Sequence, residues 1–327
     1  MGYHIFLATE ENFDACIKTG VYGGKKFIGT KKSAQLNAEI ISSFSAIRPG
    51  DFIFFYVKKV GVYGLWKAAT APFYDETPIL SDPQQIYPYR ICFEPTVRKF
   101  LKPITLSDVL DLKDKGKIWT FDLGIFARKN HNPIITEEGK ELLRLLLRNN
   151  PVFCPPRKIP KSYFPKNPES LPLKLDSDNK GRIRYEGYLS AWFTKAFAQG
   201  KLKNVVGEYK DFINYVPTSF NTVMDIFLTH VTTVDSIDIL HKFTCIELKT
   251  GTAIEKDLNQ ILKYEDWLTR KIAGGDAEMV QSILVAHEFD NDVHQYVAKR
   301  KTIEDKTIRL IRYEINATRT DVVLHEI

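Results

Sequence analysis

Residues 223–264 read VMDIFLTHVTTVDSIDILHKFTCIELKTGTAIEKDLNQILKY, and the fold of the second half of the chain turns on them. Val223–Leu228 and Phe243–Leu248 are short apolar runs, and both are predicted to be strands. Residues i and i+2 of a strand face the same side, so Glu247 and Lys249 point together into one site while the Leu248 side chain packs the other way. After Thr250-Gly251, the run Thr252-Ala-Ile-Glu255 has the form of a capping box. Ile254, Leu258, Ile261 and Leu262 then give a helical stripe that ends at Gly274-Gly275. Tyr185, Leu189, Trp192 and Phe193 form an apolar stripe on a preceding helix, and Ser282–Ala286 and Thr307–Ile315 supply further strands. The order helix, strands, helix, strand predicts an α/β domain in which the long helix crosses between strands.

Asp225 on one strand and Glu247 on its neighbour offer two carboxylates to a hard divalent cation, Mg²⁺ or Mn²⁺. Lys249 is placed to hold an attacking water or a phosphate, which is the chemistry of phosphodiester hydrolysis. Gln260 and Tyr264 lie one turn apart on the following helix and share a face, within expected reach of the same cleft. Glu186, near the start of the preceding helix, is a candidate third carboxylate.

The ordered set Glu186, Asp225, Glu247-x-Lys249, Gln260-x-x-x-Tyr264 resembles the PD-(D/E)XK nuclease superfamily over about residues 181–316, and in particular the RecB-type nucleases and the archaeal mismatch and branched-DNA endonucleases. That resemblance implies a restriction-endonuclease-like α/β fold and DNA as substrate. It implies Asp225, Glu247 and Leu248 at the metal, Lys249 as catalytic lysine, Glu186 as a helix-borne acid, and Gln260 and Tyr264 as a RecB-like helix motif. A homodimer is compatible with it, although no residue in the sequence names an interface.

Upstream, residues 149–180 hold seven of the chain's 16 prolines and six Lys or Arg. Proline fixes φ and lacks a donor, so this stretch is predicted to be an extended basic linker between a domain at 1–148 and one at 181–327. In the first domain, Met1–Leu7, Phe52–Val57, Tyr63–Ala68 and Arg90–Phe93 read as strands. Leu36, Ile40 and Phe44 mark one helix, and Ile135–Arg148, with Thr136 as N-cap, a second. A small half-open β-barrel with one or two helices fits, so α+β precedes α/β along the chain.

Phe13, Gly20-Val-Tyr-Gly-Gly24, Arg48-Pro-Gly-Asp51, Phe54-Phe55-Tyr56, Gly61–Trp66 and Tyr87-Pro-Tyr-Arg90 together resemble the EVE domain, a PUA-like relative of the YTH readers. This implies an aromatic cage for a flipped, modified base, and Tyr22, Asn37 and Trp66 are the base-binding positions carried over.

Composition bounds the alternatives. The 327 residues are 44% hydrophobic and 26% charged, which excludes disordered and collagenous chains. Residues 1–150 carry 21 basic and 16 acidic groups, 151–200 carry 9 and 4, and 201–327 carry 16 and 20. A basic middle beside an acidic C-terminal part suits a polyanion binder with an acidic metal site. No apolar run reaches the ~20 residues of a spanning helix, and the N-terminus lacks a signal-like pattern, so a cytoplasmic location is expected. The four cysteines stand far apart, and the histidines show no metal-ligand spacing, which predicts ordinary packing or surface roles for them. Three functions remain open on these grounds: a modification-dependent restriction nuclease, a repair nuclease for mismatched or branched DNA, and a non-catalytic nucleic-acid binding module.

Overall fold

The computed structural model describes residues 1–30, 32–79, 86–122, 130–165 and 168–327. The chain divides into two compact units, Met1–Pro172 and Leu173–Ile327, each mixed α/β around an open sheet. Among the described residues no helix is long and apolar enough to cross a membrane.

In the first unit, β1 (Tyr3–Ala8) is followed by α1 (Glu10–Thr19), β2 (Val21–Gly24), α2 (Ser33–Ser45), β3 (Phe52–Val57), β4 (Gly61–Ala68), β5 (Phe73–Tyr74) and β6 (Tyr89–Pro95). Then come α3 (Leu106–Asp114), β7 (His131–Ile134), α4 (Thr136–Asn149) and β8 (Glu169–Ser170). The sheet order is β7-β1-β3-β4-β6-β5-β8, with β2 also on β6, so the sheet is open with β7 and β8 at its ends. Apolar residues on both faces explain the uninterrupted run FIFFYV in β3. Tyr3, Ile5, Leu7 and Phe54 pack with Leu142, Leu145 and Leu146 of α4 on one face, and Phe6, Phe55 and Tyr22 meet Phe44 of α2 on the other. His4 and His131 are buried in a hydrogen-bonded chain running from Asp51 through both rings to Ser43, which is a packing role.

The proline-rich stretch departs from the expected free linker. Its first part belongs to the first unit: Lys161 and Tyr163 donate main-chain hydrogen bonds to Lys18 and Thr19 at the end of α1, and β8 pairs with β5. Proline removes ladder hydrogen bonds but leaves side chains free to pack, and Ile159 seats itself on Gly20. There a Cβ would lie 2.6 Å from Ile159, and the φ of +69° favours glycine. Tyr163 also reaches a buried ion pair, accepting from Arg90 at 2.5 Å and donating to Asp75.

The second unit contains α5 (Glu186–Ala198), α6 (Lys203–Val206), β9 (Asp211–Pro217), β10 (Val223–Val234), β11 (Ile237–Leu248), β12 (Thr252–Ala253), α7 (Glu255–Lys271), β13 (Val280–Ala286), β14 (Glu288–Phe289), α8 (Asn291–Glu304), β15 (Ile308–Ile315) and β16 (Val322–Glu326). Six strands form a sheet in the order β16-β15-β13-β11-β10-β9. The central strands β11, β13 and β15 are parallel, and α7 is the crossover between β11 and β13 that the sequence pattern predicts. Helix α7 begins later than the expected capping box. Thr252 and Ala253 are strand, and the Asp257 carboxylate accepts the Ile254 N–H at 3.0 Å. Likewise Thr136 is the first residue of α4 and Ile135 its N-cap. The buried stripe of α7 is Leu258, Ile261, Tyr264, Glu265 and Leu268, while Ile254 is exposed. Glu265 is the polar exception on that stripe. It binds Arg300 at 2.6 Å, Lys306 at 3.1 Å and Ser282 at 2.7 Å, which ties α7 to α8 and β13.

Arg90 is 1% exposed and is shared by Asp75, Tyr163 and the main-chain oxygens of Thr77 and Tyr87. Arg90→Ala is expected to destabilise the first unit by ~3–5 kcal/mol, because it strands the Asp75 carboxylate in the interior. Tyr163→Phe removes one hydrogen-bonding group and is expected to cost ~1 kcal/mol. Denaturant titration of both variants checks the order; equal effects would show that the ion pair is not the organising contact.

Candidate functional site

Adjacent antiparallel strands bring Asp225 of β10 and Glu247 of β11 into one cluster, because Ile226 pairs with Ile246 and the flanking residues share a face. Asp225 is 7% and Glu247 1% exposed. The Leu248 N–H donates to Asp225 Oδ2 at 2.8 Å, which fixes that carboxylate against the end of β11. Lys249 follows directly, its own N–H bonded to the Val285 oxygen, and its Nζ lies 2.5 Å from Glu247 Oε1 and 3.8 Å from Glu186 Oε2. Glu247 Oε2 is buried and, among the described residues, meets no donor within hydrogen-bond geometry.

The electrostatics follow from this crowding. Burial, and then the neighbouring Glu247, hold the Asp225 carboxyl well above the usual carboxylate range. Burial also pushes Glu247 up to about 7 even though the Lys249 ammonium opposes it. Burial alone would lower Lys249, but Glu247, Glu186 and Asp225 around it outweigh that and keep it firmly cationic. One ammonium therefore faces three carboxyl groups, and the cluster resists carrying its full negative charge.

Carboxylate oxygens are the donors a hard cation takes, so the chemistry of the donor set is compatible with one. Among the described residues no group of three or more His, Cys, Asp or Glu side chains is arranged to hold a metal ion. The cluster instead offers Asp225 and Glu247, as Mg²⁺ sites often do, with water and substrate oxygens completing the shell. Leu248 has no side-chain donor and is fully buried, so only its main-chain carbonyl is available to such an ion.

Gln260 and Tyr264 meet as their spacing predicts, Gln260 Nε2 donating to Tyr264 Oη at 2.6 Å. Tyr264 does not open on the cleft. It is fully buried, and its hydroxyl donates to the Val223 oxygen at 2.9 Å, bracing β10 two residues before Asp225. Glu186, half exposed, touches the cluster through Lys249.

In the first unit, a cavity of about 860 Å³ opens between α1, α2 and β2. Tyr22 lines it, but its ring is stacked on Phe6 at 4.2 Å and its hydroxyl is tied to the main-chain oxygens of Leu7 and Asn130. Asn37 and Trp66 are not among the lining residues. Both amide atoms of Asn37 are spent on the main chain of Phe27, which does line the cavity, so Asn37 positions the wall. Trp66 packs edge-on against Phe55, Phe13 and Phe93 as part of an aromatic cluster. The structure thus brings one of the three expected base-binding residues to the cavity. The cavity is also lined by Phe27, Tyr87 and the lysines Lys25, Lys32 and Lys58, none of them among the expected base-binding positions. For Lys25 and Phe27 the sequence signal is the run Lys25-Lys26-Phe27, where an aromatic follows paired cations.

No family model and no curated protein matches the chain. Among solved structures it is similar to Rpa0253 from Rhodopseudomonas palustris, with TM-score 0.28 and 15% identity over 44% of this chain and 92% of that one. It is also similar to Atu2648 from Agrobacterium tumefaciens, with TM-score 0.30 and 19% identity over 50% of this chain and 100% of that one. Likenesses this loose carry no inference about activity.

Because the folded state raises the Glu247 pKa from 4.5 to about 7, the folded chain binds more protons than the unfolded chain in that window. Stability is then greatest below about pH 4.5 with respect to this group, falls as pH rises to about 7, and is flat above. Thermal unfolding of the metal-free protein is expected to follow that trend against a Glu247→Gln control, whose fall with pH is smaller because only the buried Asp225 carboxyl then contributes. Added Mn²⁺ is expected to raise the melting temperature at pH 7.5 and to do little at pH 5. An equal rise at both values would place the ion elsewhere.

Proposed function

We propose that the protein is a divalent-cation-dependent DNA endonuclease whose second unit cuts phosphodiester bonds and whose first unit selects the site by holding a flipped, modified base. The observation that carries the reading is the pair of buried carboxyl groups, Asp225 and Glu247, held side by side on β10 and β11 with the Lys249 ammonium 2.5 Å from Glu247. Two carboxylates kept from water side by side are costly to ionise together, and a cation with its phosphate ligand removes that cost. Mg²⁺ or Mn²⁺ held by Asp225, Glu247 and the Leu248 carbonyl would supply Lewis-acid polarisation of the phosphoryl oxygen.

The chain's own residues do the rest. Lys249, kept cationic by its carboxylate neighbours, neutralises charge that develops on the non-bridging oxygens as the bond to the leaving oxygen breaks. Glu186, at the exposed start of α5, orients the attacking water and accepts its proton. Tyr264 and Gln260 hold the start of β10, so that Asp225 keeps its place when substrate enters. In the first unit, Tyr22, Phe27 and Tyr87 offer ring surface to a base, and Lys25, Lys32 and Lys58 offer charge to its phosphates.

Asp225→Asn and Lys249→Ala are each expected to lower single-turnover cleavage by at least about a hundredfold, with DNA affinity nearly unchanged. A cleavage panel of modified, mismatched and branched duplexes with Mg²⁺ tests this, and near wild-type cutting by Asp225→Asn would sink the assignment. The same panel separates restriction from repair, since preferential cutting of unmodified mismatched DNA would transfer the reading to a repair endonuclease.

Phe27→Ala is expected to reduce the preference for modified over plain duplex roughly tenfold or more, in line with ~1–3 kcal/mol of stacking per base. Trp66→Ala should chiefly lower the melting temperature. Equal affinity of the wild-type protein for both duplexes in a binding titration would remove base reading altogether.

A further inference from the structure

Strands β10 and β11 run well past the sheet that contains them. β9 pairs with β10 only as far as Thr229, and β13 pairs with β11 only from Phe243. Beyond those points Val231–Val234 and Ile237–Leu240 pair with each other alone, as a two-stranded arm with register shifted between His230 and Val231. Every residue from Thr232 to His241 is exposed. Directly opposed residues of an antiparallel pair share a face, so Val234, Ile237 and Ile239 form one apolar ridge, exposed by 51%, 65% and 46%. Leu240, 42% exposed, lies on the other face with Val231.

A contiguous apolar ridge on a solvated ribbon with an unpaired outer edge is a template for another strand. The charges of the arm indicate which. Its tip carries Asp235, while Asp238 is already paired with Lys210 at 3.0 Å; the arm's one lysine, Lys242, stands at the root beside His241. An acidic tip repels a phosphate backbone, so a nucleic-acid groove is the wrong occupant. An antiparallel copy of the same arm complements it, because the acidic tip of one copy comes level with the basic root of the other.

We infer that the arm joins two copies of this chain. The outer edge of β11 pairs antiparallel with its counterpart about a two-fold axis near Ile239, with Asp235 approaching Lys242 of the other copy and the Ile237–Ile239 ridges buried side by side. An isologous contact of this kind closes on itself, which leaves no free edge for further growth. The inference stands on the arm and is independent of what the carboxylate cluster does.

Sedimentation equilibrium of the full-length chain is expected to show a monomer–dimer equilibrium. The double variant Ile237→Lys/Ile239→Lys is expected to weaken it by about a hundredfold or more, with an unchanged melting temperature at concentrations where the wild type is itself monomeric, because both positions are solvated in the monomer. Cys16, Cys92 and Cys245 are buried, so in a Cys154→Ser background the single substitution Ile239→Cys is expected to give a covalent dimer on mild oxidation. A wild-type chain that stays monomeric at all concentrations overturns the inference. So does a dimer that persists in the double variant with no Ile239→Cys cross-link, which would place the interface elsewhere. Loss of DNA binding in a monomeric double variant would assign the arm to nucleic acid instead.

Discussion

Two carboxyl groups on neighbouring strands, both withdrawn from water, cannot both ionise cheaply unless something positive stands beside them. Asp225 and Glu247 are held in that position by the main chain: the Leu248 amide donates to Asp225, and the pairing of Ile226 with Ile246 sets both residues on one face. Lys249 answers part of the charge and Glu186 returns some of it. The second unit therefore keeps an electrostatic deficit at the end of a parallel strand, and its other contacts keep that deficit from relaxing. Tyr264 ties α7 to β10, and Glu265 ties α7 to β13 through Ser282 and to Arg300 and Lys306.

The first unit solves a different problem, because both faces of β1 and β3 are buried and polar groups must be satisfied inside. The chain of hydrogen bonds from Asp51 through His4 and His131 to Ser43 does this on one side, and Arg90 with Asp75 and Tyr163 on another. The cavity lies where the aromatic face meets α1 and α2. Its wall is set by contacts that do not themselves face the opening, namely Asn37 on Phe27 and Phe6 behind Tyr22.

Much of this was legible in the residues. Apolar runs such as Phe52–Val57 and Phe243–Leu248 have one stable place, inside a sheet, and the i+2 relation puts Glu247 and Lys249 on one side without further information. The Gln260–Tyr264 contact was also legible from helical spacing, but periodicity names a face and not what covers it, so the burial of Tyr264 under β10 was out of reach. The outer half of the β10–β11 hairpin was missed because its β-branched residues face water, and no burial alternation marks them. The proline-rich segment was misread for a physical reason. Proline forbids a ladder, and a segment without a ladder looks free, yet Ile159 and Tyr163 anchor it by side-chain packing that leaves no periodic trace. Trp66 and Asn37 failed as cavity residues because an aromatic or an amide in sequence carries no sign of which neighbour it will satisfy.

The packing of that segment changes where the chain is divisible. Exchange of parts between proteins succeeds where few contacts are severed, and a composition boundary near residue 148 suggests a cut that would in fact strip Ile159 from Gly20 and Tyr163 from Arg90. The transferable module is 1–172. A recombination event that kept only the helical end at Asn149 would deliver a first unit with an uncovered guanidinium and a bare glycine turn. The prolines thus serve as part of the module's own wall, and the heritable joint lies after Pro172.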